Sequence, residues 1–97
     1  MGIKKAIAKS AIAFYNLSMT KEKYLDLIHT LVPYDLSVLA TDLASTLQRT
    51  ILNGEDINFN GRNTCESFDA VVCSLSIPEI FELLSKVLVL IEKKGDR

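Results

Sequence analysis

His29 is the only histidine in the chain, and Asp26 precedes it by three residues, one turn back on any helix that carries both. An imidazole oriented by a carboxylate suits general-base chemistry, but it needs a nucleophile within hydrogen-bond reach. No G-x-S-x-G turn presents a serine, and Gly2, Gly54, Gly61 and Gly95 are scattered rather than gathered into a phosphate cradle. Cys65 and Cys73 with one distant histidine are too few ligands to close a structural zinc site. On one helix, the eight-residue step between the two cysteines is about 12 Å, too long for a disulfide. These residues predict reduced thiols in a cytoplasmic protein, with no catalytic residue, no metal and no cofactor.

Two short segments carry motif-like spacing. Asp56, Asn58, Asn60 and Gly61 follow one helical pattern and precede another. They resemble the first half of an EF-hand calcium loop, with ligands at loop positions 1, 3 and 5 and glycine at 6. The resemblance implies weak calcium binding, and it departs from the family where a bidentate acid is needed: position 12 holds Ser67, with Glu66 one residue early and Asp69 two late. The turn chemistry of Asp, Asn and Gly accounts for the same residues. Pro33-Tyr34-Asp35-Leu36-Ser37 is similar to the P-x-D-L-S motif that C-terminal-binding corepressors recognise. That likeness implies an accessible, extended segment, whereas the same residues also read as a helix stop followed by a cap.

Any such residues must be positioned by a small body. The chain has 97 residues, read as a single helical domain over 1–97, and 48% of them are hydrophobic. Mean hydropathy is +0.22, high for a chain with so much surface per residue. Some apolar side chains are therefore expected on the outside, where a second copy or another protein would cover them. Net charge is −1, against a general nucleic-acid binder. The charge is uneven, however: Met1–Lys23 holds five lysines against Glu22, and Tyr24–Lys86 holds nine acids against Arg49, Arg62 and Lys86. The opening MGIKKAIAKSAIAF is interrupted by Lys9 and has Ala6 where myristoylation prefers Ser or Thr. The most apolar stretch, Leu83–Ile91, is too short to span a bilayer. A soluble chain is expected, with no membrane partner.

Helical periodicity runs through most of the sequence. Ile3, Ala6, Ile7, Ser10, Ala11, Ala13, Phe14 and Leu17 share one face of a first helix, with Lys4, Lys5 and Lys9 opposite and Ile12 on the polar side. Thr20 is placed to cap a second helix over 21–31, which Pro33 ends. Asp35 is placed to cap a third from Leu36 to Leu52, stopped by Asn53-Gly54. Residues 54–64 are polar and form a loop pinned by Phe59; Ile57, Phe59 and Asn60-Gly61 also allow a minor hairpin. Phe68, Val71, Val72 and Leu75 suit a short fourth helix from Thr64 to Leu75, although Val71-Val72 suits a buried strand as well. Ser76-Ile77-Pro78-Glu79 is a capping box opening a last helix to about Lys93. The expected fold is all-α, a compact domain of four to five helices.

The last helix is apolar over about half its circumference, wider than one core-facing stripe needs. With no catalytic group in sight, the expected function is a non-enzymatic protein-binding module acting stoichiometrically: an inhibitor, an immunity-type protein or an assembly subunit. The partner is another protein or a second copy, met through Ile12, Leu83, Val87, Val89 and Leu90. The alternative is a small nucleic-acid-associated regulator using the basic face of Lys4, Lys5 and Lys9. A helix-turn-helix over 20–52 supports it poorly, because the base-reading end holds Asp35, Leu36, Ser37 and Val38.

Overall fold

The computed structural model describes residues 23–95, which fold into four helices: α1 (Tyr24–Thr30), α2 (Pro33–Asn53), α3 (Glu66–Cys73) and α4 (Ile77–Gly95). The fold is all-α, with no strand among the described residues. The expected first helix, the Thr20 cap and the start of the second helix lie outside those residues.

Pro33 opens α2 instead of merely closing α1. Val32 takes the extended conformation that a following proline favours (φ −77°, ψ 163°), and Pro33 occupies the first turn, where a missing N–H costs nothing. The helix therefore begins three residues before the expected Leu36, and Asp35 is not its cap. Its carboxylate instead accepts a 2.8 Å hydrogen bond from Asn63 Nδ2. Leu36 is fully buried, so Pro33–Ser37 is helical and not the extended segment a P-x-D-L-S motif would present. At the other end Gly54 adopts the left-handed conformation (φ 66°) and its N–H reaches the Thr50 carbonyl at 3.0 Å, as the Asn-Gly signal implied.

Residues 66–73 are helix, not strand, so α3 is shorter than expected at both ends. Thr64 does not cap its backbone; the hydroxyl donates to Asp69 Oδ1 at 2.6 Å. Nor do residues 54–64 form a hairpin. Their polar groups are met by α2 and α3 instead of by a cross-strand ladder. Arg49 Nη2 donates to the Asn58 carbonyl at 3.3 Å, and the Phe59 N–H donates to Cys73 Sγ at 3.3 Å. Arg62 gives its backbone N–H and guanidinium to Asp42, with the closest ion-pair contact at 2.9 Å. Phe59 pins the loop as expected, buried with its ring 6.4 Å from that of Phe68 in an edge-on contact.

The core draws on every helix: Leu27 and Ile28 from α1, Leu36, Leu39, Leu43 and Leu47 from α2, Phe68 and Val72 from α3, and Ile80, Leu83 and Val87 from α4. The most extensive packing is α2 along α4. Lys94 near the end of α4 donates to the carbonyls of His29 (2.6 Å) and Leu31 (2.8 Å), just before α2 begins. That clasp sets α4 antiparallel to α2 and satisfies carbonyls that the end of α1 leaves open.

Asp69 sits beneath the loop, and its position links stability to pH. Burial raises its pKa above the ordinary value of 3.8; hydrogen bonds from Thr64 and the Gly61 N–H oppose this, and the charges of Asp42 and Glu66 add to it. A raised native pKa means the folded protein holds this proton more tightly than the unfolded chain. The stability it contributes is full below pH 3.8 and is lost as pH rises through the native value. Wild type should therefore lose stability relative to Asp69→Asn between acid and neutral pH in paired urea titrations. A constant difference across that window would contradict the assignment.

Candidate functional site

His29 and Asp26 are both exposed on α1, and no nucleophile is hydrogen-bonded to the imidazole among the described residues. The loop that resembles half an EF-hand directs its later residues, Arg62, Asn63 and Thr64, onto Asp42, Asp35 and Asp69. No group of three or more His, Cys, Asp or Glu side chains that could hold a metal occurs among the described residues. Cys65 and Cys73 are both free thiols; Cys65 is buried, and Cys73 returns its hydrogen to the Phe59 carbonyl at 3.6 Å. Arg49 and Asp42, on the helix a DNA-binding reading would have used, are spent on the loop.

The feature left over is one side of α4. Its start is built by the expected capping box: the Ser76 N–H donates to Glu79 Oε1 at 2.8 Å, and the Glu79 N–H donates to Ser76 Oγ at 3.3 Å. From that start, successive side chains turn by about 100°. Ile80, Leu83 and Val87 point into the core and are 0% exposed. Leu83 and Val87 are therefore not interface residues, which corrects the sequence expectation for both. They were grouped with the surface because the broad apolar arc has no visible boundary in one dimension. Leu90 is half-buried against the core edge, and Val89 is 51% exposed, so Val89 remains on a free surface. Ile12 and the face of Lys4, Lys5 and Lys9 lie outside the described residues.

On α4, two surface residues were missed by sequence reasoning. Phe81 is 49% exposed and Leu88 52%. They belong to a row, Ile77, Phe81, Leu84, Leu88 and Ile91, whose steps alternate four and three residues. That is the spacing of a helix–helix seam. Ile77, Leu84 and Ile91 are half-buried where the row meets the core; Phe81 and Leu88 stand outward, and Val89 is exposed about a quarter-turn further round the helix. The arc of α4 thus divides into a core half and a seam half, and the alternating steps were the signal that could have separated them. Ile51 and Leu52, at the end of α2, are also largely exposed.

Glu92, one turn beyond Leu88, is the charged residue beside this row. Glu79 and Glu82 fall on the opposite side of α4, near enough to Tyr24 that their charges, after burial, raise its phenol pKa. Tyr24 in turn packs against Phe68 with ring centroids 6.0 Å apart. No helix among the described residues is long and apolar enough to cross a membrane. The arrangement can hold another helix along α4 by apolar contact. No family model, curated protein or solved structure matches the chain.

Proposed function

We propose that the chain is a non-enzymatic, self-associating protein-binding module that acts stoichiometrically, with the outer flank of α4 as its docking surface and a second copy as its partner. The observation that carries this reading is the seam-spaced row on α4 with Phe81 and Leu88 half-exposed. Half-exposed aromatic and leucine side chains in one row form an apolar patch that association would remove from water. The hydrophobic share of the sequence favours the same conclusion, and an assembly subunit is the role that fits it. Two unpaired cysteines suit a reducing, cytoplasmic setting.

Light scattering after size exclusion, across a hundredfold dilution, tests this. Wild type should run above the monomer mass of 10.8 kDa. Leu88→Asp should weaken association about thirtyfold or more, the loss of one contact worth ~2 kcal/mol. Its helical circular dichroism should be unchanged, because residue 88 is outside the core. A wild-type chain that stays at monomer mass throughout would sink the reading.

A further inference from the structure

The row on α4 is one part of a wider open face. α2 lies along α4, and the other attachments of both helices fall on one side of the pair. Asp35, Asp42 and Arg49 of α2 hold the loop, and Lys94 of α4 holds the end of α1. At about 100° per residue, Ala40, Ala44 and Ile51 fall on the opposite side of α2 from those loop-binding side chains. Ala44 and Ile51 are exposed. Phe81 and Leu88 likewise lie about 120–140° round α4 from Lys94. The outer side of the pair thus joins a small, uncharged strip of α2, Ala40, Ala44, Gln48 and Ile51, to the apolar row of α4.

That face is large enough for a second copy. It is about 22 Å long over the row and about 18–20 Å wide across two packed helices. Its accessible area is on the order of 600 Å², so two copies would bury about 1,200 Å², where specific interfaces begin.

Spacing and charge then fix the orientation. Ile77 and Ile91 lie seven residues either side of Leu84, with Phe81 three before it and Leu88 four after. The row therefore reads almost the same in both directions. An antiparallel copy sets Phe81 against Leu88, Ile77 against Ile91 and Leu84 against itself. Parallel copies would bring the two Glu92 carboxylates together beside the row. Antiparallel copies separate them. Glu92 is eight residues beyond Leu84, about 12 Å along the helix, which is level with Ser76 of the other copy. Ser76 opens α4, so the carboxylate meets the positive end of that helix. We infer that two copies join by this face about a two-fold axis through Leu84, with their α4 helices antiparallel. This rests on the self-association reading above and gives it an orientation and a register.

Exchanging charges within one chain tests the orientation. Phe81→Lys and Leu88→Glu should each weaken the dimer tenfold or more in light scattering. Helical circular dichroism should be unchanged, because both positions are half in water. The double variant should regain two-chain mass, since each introduced lysine meets an introduced glutamate of the other copy. In a parallel pair like charges would meet instead. A double variant that stays monomeric would overturn the antiparallel axis and leave self-association standing. Glu92→Gln gives an independent reading at an exposed position, and should weaken the dimer about two- to fivefold. Unchanged or tighter association in that variant would also overturn the axis. A monomeric wild type would overturn both the axis and the reading beneath it.

Discussion

Leu83→Ala is expected to lower the unfolding free energy by about 2–5 kcal/mol, whereas Leu88→Ala should change it by no more than about 0.5 kcal/mol. The two leucines are five residues apart on α4, and their difference is positional. Leu83 is fully enclosed, in the same core cluster as Leu39, Leu43, Phe68 and Val87. Truncation there forfeits both the transfer energy of the lost carbons and the contacts around the resulting void. Leu88 is half in water already and touches few core groups, so truncation leaves no closed cavity. Urea denaturation at a concentration low enough to keep the chain monomeric measures both. Equal losses at the two positions would mean that the outer flank is structural and would remove the basis for a docking surface there.

The second large effect is expected at Gly61. A Cβ added there would meet Thr64 Oγ1 and two ring carbons of Phe59 at 3.1 Å. Neither neighbour is free to yield. Thr64 Oγ1 is held by its 2.6 Å bond to Asp69, and the Phe59 ring is buried against Phe68. Gly61→Ala should therefore cost about 1–3 kcal/mol, the range for forcing extra volume into a packed site. The damage should be local: the loop would lift from Asp69 while α4 keeps its packing on α2. Amide exchange should show lost protection around residues 58–64 and in α3, with α4 unchanged. A variant as stable as wild type would mean that the loop is not pinned as described.

The loop also shows why motif reading overreached there. Asp56, Asn58, Asn60 and Gly61 have the spacing of a cation loop, but such spacing records only that carboxylates and amides occur at intervals. Where the chain goes next decides what those groups face. Arg62, Asn63 and Thr64, which follow that spacing, are the residues that bind Asp42, Asp35 and Asp69. Asp42 and Asp35 lie 20 and 28 positions from their partners, beyond the reach of any local pattern.

Helix type and most stops were legible locally because their causes are local. Gly54 ends α2 through its own backbone freedom, and Ser76 with Glu79 opens α4 through bonds three residues apart. Pro33 was seen as a breaker, and only the observed helix shows it acting as a first-turn residue. Apolar periodicity likewise announced helices, and with them an all-α fold. What one dimension could not decide was which part of the broad apolar arc on α4 faces inward. Ile80, Leu83 and Val87 are core because α2 packs along α4 and Lys94 clasps the end of α1, whereas Phe81, Leu88 and Val89 are left outside. The hydrophobic effect rewards burial without direction, so a sequence records how much apolar surface must be covered, and only tertiary packing assigns which of it the chain covers for itself.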